Sequence, residues 1–410
     1  MTYPMKQKVT FYYLKYALFF IMLYFFIFNP PFSFLPLSPK FGLYLLVFPY
    51  FLKRKFHRYF GYFKGIFFAI AAIVVFCFLR EIEMTKSEFF ILNFTMFFEY
   101  LLIPLFLIMF YESFAEDKDM VLDIVKVGIF ASFFTIGMIF LPALGDFIRY
   151  QLLKTDDFTE NVAERTFGLA ESLTFSYGIV QGIMASLILF YSKQNKKLLL
   201  FLPVLIICIM FNARVGFSAL IVGVGFYYAY NFKILNILAT VIVLFSLFFI
   251  VTETSLFEKQ KETIEWGLDF FTQSSDFLSG KKSDDNTFDT LFGDMFILPD
   301  TEEAWLIGNG INIFGRTSGG TSDIGYILQL YYGGIIYLAL LFLIVLALFK
   351  KVKGLPKKEF FIGSSFLVTI ILCNIKGNVF IPIGTMRLII LLVMWFVISN
   401  KNKLSLRTNE

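Results

Sequence analysis

Read for hydropathy alone, the chain should be an all-α integral membrane protein of about twelve transmembrane helices. Three features say so. Of its 410 residues, 58% are hydrophobic and 16% charged, with a mean hydropathy of +0.73; a soluble domain of that make-up would have no surface to present to water. Apolar runs repeatedly approach the roughly 20 residues that a helix needs to cross a hydrocarbon core. The basic residues fall in short clusters between those runs, so the net charge of +5 is a topology signal, and nucleic acid is not an expected partner.

The first run, Phe11 to Phe28, is followed by Asn29-Pro30-Pro31 instead of a small-residue cleavage site, so it is expected to stay as the first span. Phe34 to Leu52, Tyr59 to Leu79, Phe89 to Tyr111 and Val121 to Leu141 follow. Leu173 to Tyr191, Leu198 to Phe211, Val215 to Phe232 and Ile234 to Val251 come next, and Ile324 to Phe349, Phe360 to Phe380 and Leu388 to Ser399 complete the set. Every second connection is basic: Lys53, Arg54, Lys55 and Arg58; Lys193, Lys196 and Lys197; Lys350, Lys351, Lys353, Lys357 and Lys358; then Lys401, Lys403 and Arg407. By the positive-inside rule these loops and both termini face the cytoplasm. The connection Glu112 to Asp119 is acidic on that side, but acids weigh little in the rule.

Residues 1–410 thus form one polytopic domain with two long loops on the opposite side, 142–172 and 252–323. Both exceed the length of a plain connector. In the larger one, Phe257, Ile264, Leu268 and Phe271 share a helical face with Trp266 nearby, which predicts an amphipathic helix on the membrane surface or capping the bundle. Ser274 to Asp289 is rich in Ser, Asp and Lys, as mobile segments are. No internal repeat is visible, which argues against a repeat-built transporter. Cys77, Cys208 and Cys373 all lie in apolar runs and give no support to a disulfide framework or a metal site.

Charge in the apolar stretches carries the chemistry. Arg214 sits in Phe-Asn-Ala-Arg-Val-Gly-Phe between a short span and the next. An arginine near the bilayer centre costs roughly 2.5 to 3.5 kcal/mol on insertion scales, so it faces a cavity or an anion, unless it snorkels to the interface. Arg165 precedes the sixth span, Arg316 the tenth, and Lys376 and Arg387 flank the turn between the last two. Together they make a candidate phosphate clamp on the side where cations are least expected, the planar guanidinium fork donating bidentately to phosphate oxygens. For each alone, a solvated loop charge or an ordinary ion pair serves as well.

Glu99 lies near mid-span, where pairing with a basic residue on another helix is the plainer reading and a relay the alternative. Asp323 enters the tenth span, either as a general base for a sugar hydroxyl or as part of an N-cap with Thr321 and Ser322. Gly308-Asn309-Gly310 is a turn or a backbone anion nest. Asp284-Asp285 reads as solvated loop, and His57, the single histidine, belongs to a basic loop.

These segments resemble the O-antigen polymerase and ligase superfamily. Phe211 to Leu220 is similar to its Ser-Arg-Gly-type segment; Trp305 to Gly310, Ser322 to Tyr326 and Tyr332 to Ile335 are similar to the stretch that closes its large periplasmic loop. Arg165 to Leu169 resembles the arginine-glycine element before the sixth span, and Cys373 to Gly377 the Asn-x-Lys element of Wzy-type polymerases. The resemblance implies a GT-C-like bundle in a bacterial inner membrane, and a polymerase moving a growing glycan from undecaprenyl diphosphate to the next lipid-linked repeat unit. Arg214, Arg165 and Asp323 would be catalytic, and Arg214, Arg165, Arg316, Lys376 and Arg387 would bind diphosphate. No cofactor or metal is expected; a chain-length regulator is the expected protein partner. Ligases of the superfamily commonly carry a periplasmic histidine that this chain lacks, which favours a polymerase. An O-antigen ligase and a flippase for lipid-linked saccharides stay as alternatives.

Overall fold

The computed structural model describes residues 3–83, 89–115, 118–154, 165–171, 175–233, 238, 242, 261–281, 287–314 and 320–407. The described residues are helical, with no β-strand named among them. Among the described residues, six helices are long and apolar enough to cross a membrane, so the chain is a multi-pass α-helical membrane protein. Three shorter apolar helices, Lys40–Phe51, Ser176–Tyr191 and Val215–Tyr230, join them.

The first span is α1 (Tyr3–Phe28). The second is shorter than hydropathy indicates: α2 (Lys40–Phe51) begins only after Pro36 and Pro39, since the residue before a proline is driven out of helical backbone. The third splits into α3 (Arg54–Tyr62), amphipathic and carrying His57, and the span proper, α4 (Lys64–Glu83). The fourth is one path: α5 (Phe89–Phe97), a π-helical turn (Phe98–Leu102) and α6 (Ile103–Glu112). Next come α7 (Met120–Phe140) and the short α8 (Pro142–Phe147) in the first long loop. The segment Ser176–Tyr191 is α9. A 3₁₀ turn (Lys196–Phe201) leads into α10 (Leu202–Met210), and α11 spans Val215–Tyr230. The predicted span 234–251 falls almost wholly outside the described residues.

In the large loop, α12 (Lys261–Leu278) is the expected amphipathic helix, and it caps the bundle. Ile264 is buried, Gly267 lies on Met210 of α10, and the Phe271 ring meets Phe217 of α11 at 5.1 Å. Phe257, Asp284 and Asp285 lie outside the described residues. Two one-turn helices follow, α13 (Thr287–Phe292) and α14 (Glu302–Ile307), then the long span α15 (Gly325–Val352), α16 (Lys357–Cys373) and α17 (Gly384–Arg407). The last is the central post: every residue from Leu388 to Ile398 is buried.

The two ends of the bundle differ in chemistry. At one, Lys118 lies over Tyr12 of α1, Lys55 pairs with Glu112 at 2.9 Å, Asn402 of α17 donates to Glu112 at 2.8 Å, and Lys358 covers the Tyr191 ring at 3.3 Å. The N-terminal end of α1 and the C-terminal end of α17 therefore share this lysine-rich end. Arg165, Arg214, Asp323 and Lys376 lie at the other.

Candidate functional site

Small residues bring the site together. Gly178, Gly182 and Ser186 on α9 face Ala213, Gly216, Ala219 and Gly223 at the start and along the face of α11, and a Cβ on Gly182 would strike the Gly216 carbonyl. Such small-residue stripes let membrane helices touch backbone to backbone. Arg214, immediately before α11, is held by this crossing.

Three other segments are fastened to it. Thr166 donates from its backbone N–H and its hydroxyl to the Phe211 carbonyl, at 3.0 and 3.2 Å, and Asn212 Nδ2 donates back to the Thr166 carbonyl at 3.4 Å. That clasp sets Arg165 beside Arg214. The Cys373 thiol at the end of α16 approaches the Val215 carbonyl at 3.9 Å, which brings the following turn, with Lys376, to the same place. The Gly377 N–H then donates to the Asp323 carbonyl at 2.8 Å. Four segments far apart in sequence thus deliver two guanidinium groups, an ammonium and a carboxylate to one end of the bundle.

The four groups sense each other. Burial pushes the Lys376 ammonium down to about 8, with Arg214 and Arg165 adding to the effect and Asp323 opposing it. Burial lifts the Asp323 carboxyl above its ordinary value against the pull of Lys376 and Arg165. Both arginines are pushed down by burial; Asp323 opposes this at Arg165, and Asp269 on α12 opposes it at Arg214. Three cations are gathered with the partly buried Asp323 carboxylate and the exposed Asp269, a surplus of positive charge that suits an anion. A cavity of about 360 Å³ opens beside them, lined by Arg214, Lys376, Ser218, Phe277, Phe288 and Phe292. Phe277 stacks on Phe288 and on Phe292 with ring centres 5.5 Å apart, so α12 and α13 give the cavity an aromatic wall.

Neither Asp323 nor its neighbours Thr321 and Ser322 cap α15: the N-cap residue is Ile324, with no side-chain cap, and Ser322 Oγ, which accepts from the Ile324 N–H at 3.1 Å, closes a turn just ahead of the helix. Arg316 lies outside the described residues. Arg387 is not with the group, and its expected place among the diphosphate ligands is corrected here. Its fully buried guanidinium donates to Glu99 at 2.5 Å, Glu171 at 3.0 Å and the carbonyls of Pro382 and Phe26 at 2.6 and 3.5 Å. Lys40 pairs with Glu99 at 3.0 Å and Tyr44 donates to it at 2.7 Å. Glu99 is therefore held in a structural network of two cations and two carboxylates, as its pairing reading expects.

Gly308-Asn309-Gly310 is no anion nest either. Helix α15 is broken at Gly334 (φ 67°), and the amides of Asn309 and Gly310 donate to the carbonyls of Tyr331 and Tyr332 at 2.8 and 3.1 Å, while Arg80 holds the Gly308 carbonyl at 3.0 Å. Backbone freed inside a bundle must be satisfied by protein, and the turn does so. The sequence reading missed Asp269, the aromatic wall, and Gln329 and Asn378, whose amides join that of Asn374 from the Asn-x-Lys element; Gln329 and Asn374 are buried and Asn378 is not. Gln329 carried a signal: it is an uncharged polar residue inside a long apolar span. Comparison of the chain with family models, with curated proteins and with solved structures gives no match.

Proposed function

We propose that the chain is a polysaccharide polymerase of the Wzy type, a glycosyltransferase acting on glycans carried by undecaprenyl diphosphate. The observation that supports it is the convergence of Arg165, Arg214, Lys376 and Asp323, from four separate segments, beside an aromatic-walled cavity. A hydroxyl oxygen of the accepting lipid-linked unit attacks the anomeric carbon of the growing chain. The bond from that carbon to the diphosphate breaks, the diphosphate leaves with the electron pair, and the hydroxyl proton passes to Asp323. Burial raises its pKa, the direction that makes a carboxylate a stronger base. The cations meet the charge that grows on the leaving diphosphate, and burial makes them effective there. The apolar wall suits the prenyl chain.

In this reading the chain makes about twelve passes in a GT-C-like bundle, sits in a bacterial inner membrane with both termini cytoplasmic, and works with a chain-length regulator. The test is reconstitution with lipid-linked repeat units. Arg214→Ala should slow chain lengthening by about 10²- to 10³-fold, leaving single units exposed on the outer face. Long glycans at the wild-type rate would overturn the proposal; product on a lipid A core would make the protein a ligase, and units retained on the cytoplasmic side a flippase.

A further inference from the structure

The turn after α16 borders two cavities. Lys376 lines the one just described, whereas Gly377 and Asn378 line a second of about 220 Å³, with Phe175, Asn312, Phe314 and Leu328. The rings of Phe175 and Phe314 stand edge to face, 6.4 Å apart at 86°. A mostly apolar lining with a few polar groups is the make-up of a small-ligand site, and a volume below the roughly 300 Å³ at which such sites usually begin limits the occupant to about one ring; aromatic faces with amide groups match a sugar ring, apolar on its C–H faces and hydroxylated at its rim.

The orientation of Asn378 follows from one backbone atom. The Val379 N–H can only donate, and it reaches Asn374 Oδ1 at 2.9 Å, so that atom is the amide oxygen. The Gln329 atom 3.2 Å from the same oxygen must then be the nitrogen, Nε2, and Asn374 Nδ2 donates to Gln329 Oε1 at 3.2 Å. An amide nitrogen carries two hydrogens. The second Nε2 hydrogen goes to Asn378 at 2.8 Å, so the Asn378 atom there is the oxygen. Its NH₂ is thereby turned to the other side of Cγ. Gln329 and Asn374 are buried, while Asn378 is accessible. The buried pair acts as a brace that holds one amide donor in one orientation at the cavity wall.

We propose that this second cavity is the subsite for the sugar that accepts the growing chain, with Asn378 as its specificity-determining donor to a sugar hydroxyl. The inference rests on the polymerase reading. The cations serve the donor's diphosphate in the first cavity, and Asp323, bonded through its carbonyl to Gly377, stands at the border where an acceptor hydroxyl would lose its proton. Gln329 is a positioning residue acting through Asn378.

The probe is the oligosaccharide released by mild acid from lipid-linked units that accumulate in cells carrying Arg214→Ala. Its binding to detergent-purified protein is followed by saturation-transfer NMR. Wild type and Arg214→Ala should bind alike, Asn378→Ala and Asn378→Asp about tenfold more weakly, and Gln329→Leu more weakly than wild type. In the polymerisation assay, Asn378→Ala should raise the KM for the acceptor unit more than it lowers kcat. Phe314→Ala, at an exposed ring, makes the same comparison should Asn378→Ala fail to fold. No accumulated units in Arg214→Ala cells would overturn the polymerase reading before any binding is measured. Units that bind wild type and the Asn378 and Phe314 variants equally, or that do not bind wild type, would overturn the subsite alone.

Discussion

At Lys376 charge and burial conflict. Brought down to about 8 by burial and by Arg214, it is near half-protonated at mildly alkaline pH without a ligand. On the proposed function, a bound diphosphate favours its charged form, so above that pH binding must take up a proton, and affinity for undecaprenyl diphosphate should fall as pH rises through about 8. Titrating Lys376→Arg, which keeps its charge throughout, should give a flatter profile; an unchanged pH slope in that variant would assign the effect elsewhere. The stability sign is opposite: with a folded pKa below the unfolded one, the ligand-free protein should gain stability as pH climbs from about 8 towards 10.5. At this scale the sequence singled out Arg165, Arg214, Lys376 and Asp323, which the structure brings to one end of the bundle, because a charge beside an apolar run is costly and conspicuous. It misled at Arg387. A cation at a span boundary looks the same in sequence whether it faces a ligand or a carboxylate from a distant helix, and only packing brings Glu99 and Glu171 to it.

Elements place those residues through contacts that have little hydropathic signature. The crossing of α9 and α11 depends on backbone approaching backbone at Gly182 and Gly216. Gly182→Val should cost about 1 to 3 kcal/mol through overpacking, read as a lower unfolding midpoint in detergent. It should also weaken diphosphate binding, since Arg214 moves with the start of α11; a variant that binds like wild type would show that the crossing does not set the site. The six long apolar helices were legible from hydropathy, and several boundaries were not. Helix α2 starts late because of prolines, and the third predicted span divides at Phe63, whose backbone leaves the helical region (φ −117°, ψ 21°). The break at Gly334 was invisible too, since an apolar run reads the same whether its helix is whole or interrupted.

For the whole molecule, the alternation of basic connections foretold which loops share an end, and the contacts among Lys55, Glu112, Asn402, Lys358 and Tyr191 gather those loops there. Reporter fusions at either terminus should both register on the cytoplasmic side; both registering outside would reverse the orientation that the proposed function needs, and a split result would overturn the even number of passes. Lysines clustered at a bilayer surface attract anionic headgroups by about 1 kcal/mol each, so this rim behaves as ballast. Where that rim settles on an anionic leaflet it sets the height of the molecule, and with it the depth of the guanidinium groups at the far end. Membrane thickness then becomes a lever on the chemistry: a thicker bilayer would draw Arg214 towards hydrocarbon and a thinner one would lift it into water.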